Sequence, residues 1–280
     1  MTLKTLAGNL LTVKWGAWSL VCLYISLVSG VLVALQYDPA AAYYSTAAMD
    51  LLVPFGQYFR SLHFYSSQFF FLLAIVHLLA VYRSTDSYTT AQWGRLIATL
   101  PVILLLLFTG YVLRADSTGA SAGAIAEAIL MDIPILGPAI NSVFFSITDH
   151  GMQRVYVTHI ITFDLLWLAL AWEHLRRYRI RLTDHLPAAG LVLLFSVFVA
   201  APIDPEKLGV TYISGPWFFL GLQELLRYLS PLVAGCIFPA SFIFALFLAR
   251  KHHRFFNAIL IFLVIWLLLY LVLSVLALLH

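Results

Sequence analysis

Apolar residues run along this chain in long blocks that charged positions rarely interrupt, and about 20 such residues cross a bilayer as one helix. Seven spans are predicted, at 15–36, 61–82, 95–113, 155–175, 186–202, 232–249 and 255–279. The fifth is short, with Pro187 at a helix start and Pro202 at its stop. Pro239 is expected to kink the sixth. Two polar connections are long. Residues 114–153 contain "DIPILGPAINSVF", whose Pro and Gly punctuate short helices expected to lie on the membrane. Residues 203–231 form the other. No segment repeats at a fixed period. The pattern predicts an all-α polytopic membrane protein.

Composition strengthens that reading. Of 280 residues, 62% are hydrophobic and 10% charged, with a mean hydropathy of +0.94. A soluble domain of this size is excluded. The net charge of +3 comes without a long basic patch, so no nucleic-acid partner is expected. Cys22 and Cys236 both lie in apolar runs, which excludes a disulfide framework and a CxxCH haem attachment. The opening "MTLKTLAGNLLTVKWG" lacks an apolar core followed by a small-residue cleavage site, so no removable leader is expected.

Charge also orients the chain. With spans alternating in direction, one face collects Lys4, Lys14, Arg83, Arg95, Arg176, Arg177, Arg179, Arg181, Arg250, Lys251 and Arg254. The other has Arg60, Arg114, Arg154, Lys207 and Arg227, a count of 11 against 5. The richer face is expected to be cytoplasmic. The N-terminus is then inside, and the C-terminus and both long connections are outside the cytoplasmic membrane.

The polar residues inside the spans carry the chemistry, because imidazoles in lipid are costly and usually functional. His63 and His77 stand fourteen apart in "RSLHFYSSQFFFLLAIVHLLAVYR". Fourteen residues rise about 21 Å in nearly four turns, which puts both on one helix face near opposite surfaces. His159 and His174 are fifteen apart, within about 60° of one face at 3.6 residues per turn. Spans two and four run the same way, so His63 and His159 share an outer depth, and His77 and His174 an inner one. Two matched pairs at two depths suit two bis-histidine haems. The competing structural account is hydrogen-bonded helix packing. Zinc or copper would want ligands converging on one point. A proton relay would want a chain of carboxylates, which the spans lack.

Gly16 and Gly30, also fourteen apart, match the histidine spacing on the first span, and Gly110 closes the third. Glycine admits close approach of a flat macrocycle, although small residues also serve plain helix contact. Arg60 and Arg154, just outside the outer histidines, are candidates to bind haem propionates or to anchor helix ends in the headgroup region.

These residues resemble the cytochrome b subunit of the quinol:cytochrome c oxidoreductases, the bc and bf complexes. "RSLHFYSSQFFFLLAIVH" is similar to that family's second helix, and "RVYVTHIITFDLLWLALAWEH" to its fourth. "TGYVLRADSTGASAGA" resembles its GYVLPWG stretch, "DIPILGPAI" its AIPYIG segment, and "GPWFFLGLQELLRYLSP" the region of its PEWYFL. Seven spans and the fifteen-residue histidine spacing look closer to the bf branch, with its two parts fused. The resemblance implies a four-helix haem-binding bundle in residues 1–182 and a three-helix part like subunit IV in 183–280. It implies two non-covalent b haems, ligated by His63 with His159 and His77 with His174. It implies quinone or menaquinone as substrate, and an iron–sulfur protein or a c-type cytochrome, single-haem or multihaem, as electron partner. Membrane lipid and a second copy of the chain are the other expected partners.

Departures from the family pattern refine this. Lys14 stands where the bf branch has the cysteine that holds an extra haem, so no covalent haem is expected. Leu96 lies fourteen before Gly110, with Gly94 the nearest glycine. Gly215-Pro216-Trp217-Phe218 replaces Pro-Glu-Trp-Tyr, and the glutamate that accepts a quinol proton is absent. An outer quinone site at Trp217 and Phe218 would then rely on Glu224, with Asp116 next in line. Glu224 is equally placed for an ion pair with Arg227, three residues on. An inner quinone site near the cytoplasmic ends of spans one, four and five would have Asp184 and His185 as proton donors, unless they cap the fifth helix. A diheme b anchor of a dehydrogenase or hydrogenase is the alternative redox function, and a haem-free scaffold or transporter the alternative outside redox chemistry. No nucleotide-binding motif points to a primary pump.

Overall fold

The computed structural model describes residues 13–147, 151–178, 180–206, 213–250 and 252–279. Lys4, Arg179, Lys207 and Lys251, four of the basic residues used for orientation, lie outside them, as does most of the N-terminal stretch. Among the described residues the chain is helical and has no strand. Among the described residues five helices are long and apolar enough to cross a membrane: Trp15–Ala34, Gly56–Ser87, Thr90–Arg114, Gly151–Leu175 and Phe256–Leu279. The fifth and sixth expected spans coincide with shorter apolar helices, Leu182–Phe198 and Val233–Leu248.

The departures from the expected spans have local causes. The fifth helix has Pro187 in its first turn, where its missing N–H costs nothing, but stops at Phe198, four residues short of Pro202. Pro239 does not interrupt a regular helix. A π turn, Val233–Ile237, precedes it, and Pro239 falls in the first turn of the α-helix that follows, Phe238–Leu248. The 114–153 connection forms Ser117–Met131 and Gly137–Phe144, the short helices its punctuation predicts. One helix was not expected, Ala42–Leu52. Asp38 starts it by accepting the Ala40 N–H at 2.9 Å, with Pro39 locking the first 3-10 turn.

The chain divides into two compact units that interleave along the sequence. In the first, Trp15–Ala34 lies along Gly56–Val81, and Leu186–Phe198 packs on both. Ser19 donates to the Phe70 carbonyl at 3.0 Å, and Ser61 accepts the Ala201 N–H at 2.8 Å. In the second, Thr90–Arg114 is central and packs against Ser117–Met131, Gly151–Val157 and Phe238–Leu248. Trp93, fully buried, donates its indole N–H to the Phe247 carbonyl at 2.8 Å. Phe256–Leu279 runs along Leu220–Leu225 in the same unit. Cys22 is buried and Cys236 half-buried, both as free thiols.

Candidate functional site: the histidine pairs

In the first unit His77 and His174 come together, with ring centroids 6.2 Å apart and planes inclined by 54°. Two imidazoles on opposite sides of one metal atom, with bonds of about 2 Å, have centroids about 6 Å apart. The Tyr178 ring lies against His174 at 5.0 Å. Beyond the span, burial and then a hydrogen bond to Tyr178 push the Tyr88 phenol above its ordinary range.

The glycines face the histidines. A Cβ on Gly16 would lie 2.9 Å from His77 Cε1, and one on Gly30 would lie 2.8 Å from His63 Cε1. In the second unit a Cβ on Gly110 would lie 3.3 Å from His159 Cε1. At each of these positions the missing side chain leaves room for an imidazole ring.

Two imidazoles are also fixed in tautomer. His63 Nδ1 lies 2.9 Å from the Ser26 carbonyl, which can only accept, so Nδ1 carries the proton. His159 Nδ1 lies 2.8 Å from Thr109 Oγ1. The single Thr109 hydroxyl proton goes to the Leu105 carbonyl at 2.8 Å, so its oxygen accepts from His159 Nδ1–H. Both rings keep an unprotonated Nε2, the atom that would ligate a metal, with the opposite nitrogen held as is usual for ligating histidines.

The fifteen-residue interval from His159 to His174 is resolved by a π turn, Thr158–Phe163, inside the span. One wide turn absorbs the extra residue, so fifteen positions rotate like fourteen, within about 40° of four full turns. Sequence periodicity at 3.6 residues per turn left the two 60° apart. The residues therefore fit a haem held between imidazoles. No cluster of three or more metal-ligating side chains occurs among the described residues, and bis-histidine ligation needs only two.

The two arginines make other contacts. Arg60 donates from Nε to Asp50 Oδ1 at 2.6 Å, from Nη2 to Asp50 Oδ2 and the Ala201 carbonyl, and from Nη1 to the Pro202 carbonyl. Four of its five N–H groups are thus engaged within the first unit. Arg154 donates to the Ser142 carbonyl.

The outer candidates lie in the second unit. Phe218 is buried edge-on to Tyr111, with centroids 5.6 Å apart, and Trp217 is 45% exposed. Gln223 shapes this turn, accepting the Gly215 N–H at 2.7 Å and donating to the Ile213 carbonyl at 2.8 Å. Glu224 is 2% exposed. It forms the ion pair with Arg227 at 3.3 Å and accepts the Tyr228 hydroxyl at 2.8 Å.

Asp116 is fully buried and caps Ser117–Met131, accepting the Gly119 N–H at 2.9 Å. It also accepts from Arg114 and from the Asp204 N–H. Those bonds tie the 203–205 stretch to the start of that helix. Asp204, which sequence reasoning missed, shares Arg114 at 3.3 Å.

At the fifth helix Asp184 is exposed and His185 half-buried. The helix has no side-chain cap, which removes the capping account of both residues. Asp50, Ser26 and Thr109 were also missed, because their partners are remote in sequence. The one local hint was Asp38-Pro39, a helix-start signal ahead of the helix that carries Asp50.

A family model described as cytochrome b/b6/petB matches residues 4–180. The chain is 28% identical over 178 residues to "Cytochrome b6" of Heliobacterium modesticaldum, covering 59% of this chain and 81% of the relative. It is 24% identical over 278 residues to "Cytochrome b" of Acanthamoeba castellanii, covering 84% and 71%. A solved chain described as "Hyperthermophilic respiratory Complex III" is similar in fold, with a TM-score of 0.68, 21% identity, and coverage of 93% of this chain and 83% of that one.

Proposed function

Because the chain belongs to the cytochrome b/b6/petB family, we propose that it is the diheme b subunit of a quinone-linked membrane oxidoreductase, moving electrons across the bilayer between a quinone pool and a partner redox protein. The approach of His77 and His174 carries this reading, with Gly16 making room for the His77 ring. His77 and His174 would hold the inner haem. His63 and His159 would hold the outer one, a pairing that rests on matched sequence depth and on each ring's fixed tautomer. Haem supplies one-electron carriage when bound.

The chain's own residues orient and insulate. The Ser26 carbonyl and Thr109 hydroxyl fix the ligating face of their imidazoles. Seven crossings are proposed, the two short apolar helices included, with a cytoplasmic N-terminus and the C-terminus outside a cytoplasmic membrane. Residues 1–182 would be the haem bundle and 183–280 the part like subunit IV. At the outer side Trp217 and Phe218 would line a quinol site with Glu224 as proton acceptor and Asp116 next in line. At the inner side Asp184, exposed at the helix entrance, and His185 would deliver protons to a quinone. An iron–sulfur or c-type cytochrome chain would take the outer electron.

The test is direct. Purified chain should give reduced b-type absorption bands, about two haems per chain by pyridine haemochrome, and haem reduction on adding a quinol. A colourless preparation from haem-replete cells would reject the reading.

A further inference from the structure

Asp164 stands in the middle of the span Gly151–Leu175, five residues after His159 and ten before His174. It is half-buried, and among the described residues no hydrogen bond or ion pair holds its carboxylate. An ionisable side chain at that depth is costly and marks function by default. The elements beside it provide no cation. Thr90–Arg114, packed against the π turn, has Arg95, Tyr111 and Arg114 towards its ends and nothing titratable across 96–110. Gly151–Val157, which leads into the π turn, carries Arg154 and Tyr156, eight or more residues away along the helix. On its own helix the remaining titratable groups are His159, Glu173 and His174.

Its placement on the helix relates it to the histidines. Ten residues turn through about 1,000°, so Asp164 is about 80° around the helix from His174. The five residues from His159, mostly in the wide π turn, turn through about 400° and leave Asp164 about 40° from His159, flanking the histidine face. It is about 7 Å along the axis from His159 and about 15 Å from His174. A ferric bis-imidazole haem has a net positive core, because a trivalent iron sits in a dianionic ring. Reduction removes that positive charge. A carboxylate compensated by the oxidised core loses its compensation when an electron arrives, in a medium where unpaired charge is penalised.

Resting on the haem-binding reading above, we propose that Asp164 is a redox-linked proton carrier: ionised beside the oxidised haem held by His159, and protonated when that haem is reduced. The step balances as one electron, supplied by a quinol that is oxidised, taking iron from ferric to ferrous, and one proton from hydronium in the aqueous phase, whose O–H bond breaks and leaves water as the carboxyl O–H bond forms. This gives the middle of the span an acid–base function separate from either quinone site.

The test is an absorbance-monitored redox titration of the purified protein between about pH 6 and 9. In the wild type one haem midpoint should fall with rising pH, approaching a tenfold change in the reduction equilibrium per unit, or about 59 mV for one electron. Asp164→Asn should raise that midpoint at high pH, flatten its slope, and converge with the wild type at low pH. Asp164→Glu should keep the slope. Equal midpoints and slopes in Asp164→Asn and wild type, at equal haem content, overturn the proposal. If the Asn variant does not assemble, wild-type redox-difference infrared spectra decide. A protonated-carboxyl band must grow on reduction, and its absence overturns the proposal. Failure of the wild type to bind haem would instead reject the haem-binding reading itself.

Discussion

The His77 ring occupies the space that a side chain on Gly16 would need, with Cε1 2.9 Å from the position of the missing Cβ. Even alanine there is tighter than normal contact, and the neighbour is the ring that meets His174 rather than a flexible tail.

Gly16→Val should therefore displace His77 and cost the inner haem while sparing the outer one. Haem content should fall from two per chain towards one, with loss of one spectral component. Glycine is a poor helix residue, so alanine would gain up to about 1 kcal/mol in propensity. A lower haem content in Gly16→Ala would thus report the contact and not the helix. Unchanged haem content in Gly16→Val would mean that the ring does not need this seat.

Thr109 accepts from His159 Nδ1–H while giving its own proton to Leu105. Thr109→Val keeps the shape and removes the acceptor, freeing the imidazole to change tautomer. Partners of ligating histidines typically contribute about 10–100-fold in affinity. Retention of the outer haem under detergent challenge should weaken by that order, and Thr109→Ser should restore it. Ser26→Ala should have a smaller effect, because it removes only the hydroxyl 3.3 Å from His63 Nδ1 and leaves the closer backbone carbonyl, at 2.9 Å, in place.

The all-helical membrane class and five of the expected spans were legible because hydropathy is a local signal, and the spacing of His77 and His174 anticipated that their rings meet. What the sequence hid was non-local or irregular. The Ala42–Leu52 helix lies in "AYYSTAAMDLL", too mixed in polarity to stand out, and its Asp50 is recognisable as a partner only once Arg60 is beside it. The π turn at Thr158–Phe163 departs from the 3.6-residue period on which the reading relied. Gly16, Gly30 and Gly110 each lie against an imidazole, a contact that glycine spacing alone does not reveal. Asp164 is plain in the sequence as an acid inside a span, but its relation to the histidines depends on the π turn, which a regular 3.6-residue period does not give.

Asp50 and Arg60 form an ion pair with side chains only 8% and 7% exposed. Removing one partner from such a pair typically costs about 3–5 kcal/mol, because the other charge stays buried. Asp50→Ala should lower the thermal unfolding midpoint of the detergent-solubilised protein markedly. An apolar replacement of both, Asp50→Leu with Arg60→Met, should recover much of the loss, although Arg60 also serves the Ala201 and Pro202 carbonyls. If Arg60→Met alone lost haem with no change in unfolding, the propionate role expected from its position would be favoured over the tie to Asp50.

Glu224 is a buried carboxylate held by two exposed side chains, Arg227 and Tyr228. A quinol that gives up two electrons must release two protons, and this is the buried acid nearest in sequence to the motif that lacks its usual glutamate. Glu224→Gln keeps the volume and removes the base, and loss of a proton acceptor typically costs about 100-fold or more in rate. Quinol oxidation should slow by that order with haem content unchanged. The hydrogen bond from Tyr228 provides an independent pH readout. Its acceptor on Glu224 raises the Tyr228 phenol above the usual range. The hydrogen bond is then whole below the ordinary tyrosine value of about 10 and is lost as pH rises through the higher folded value. Replacing the carboxylate with an amide should bring that titration back down, visible in the ultraviolet tyrosinate band. A variant that moves the Tyr228 titration but leaves quinol turnover unchanged across the pH range would make Glu224 a structural partner of Arg227 and Tyr228 and remove it from the proton path.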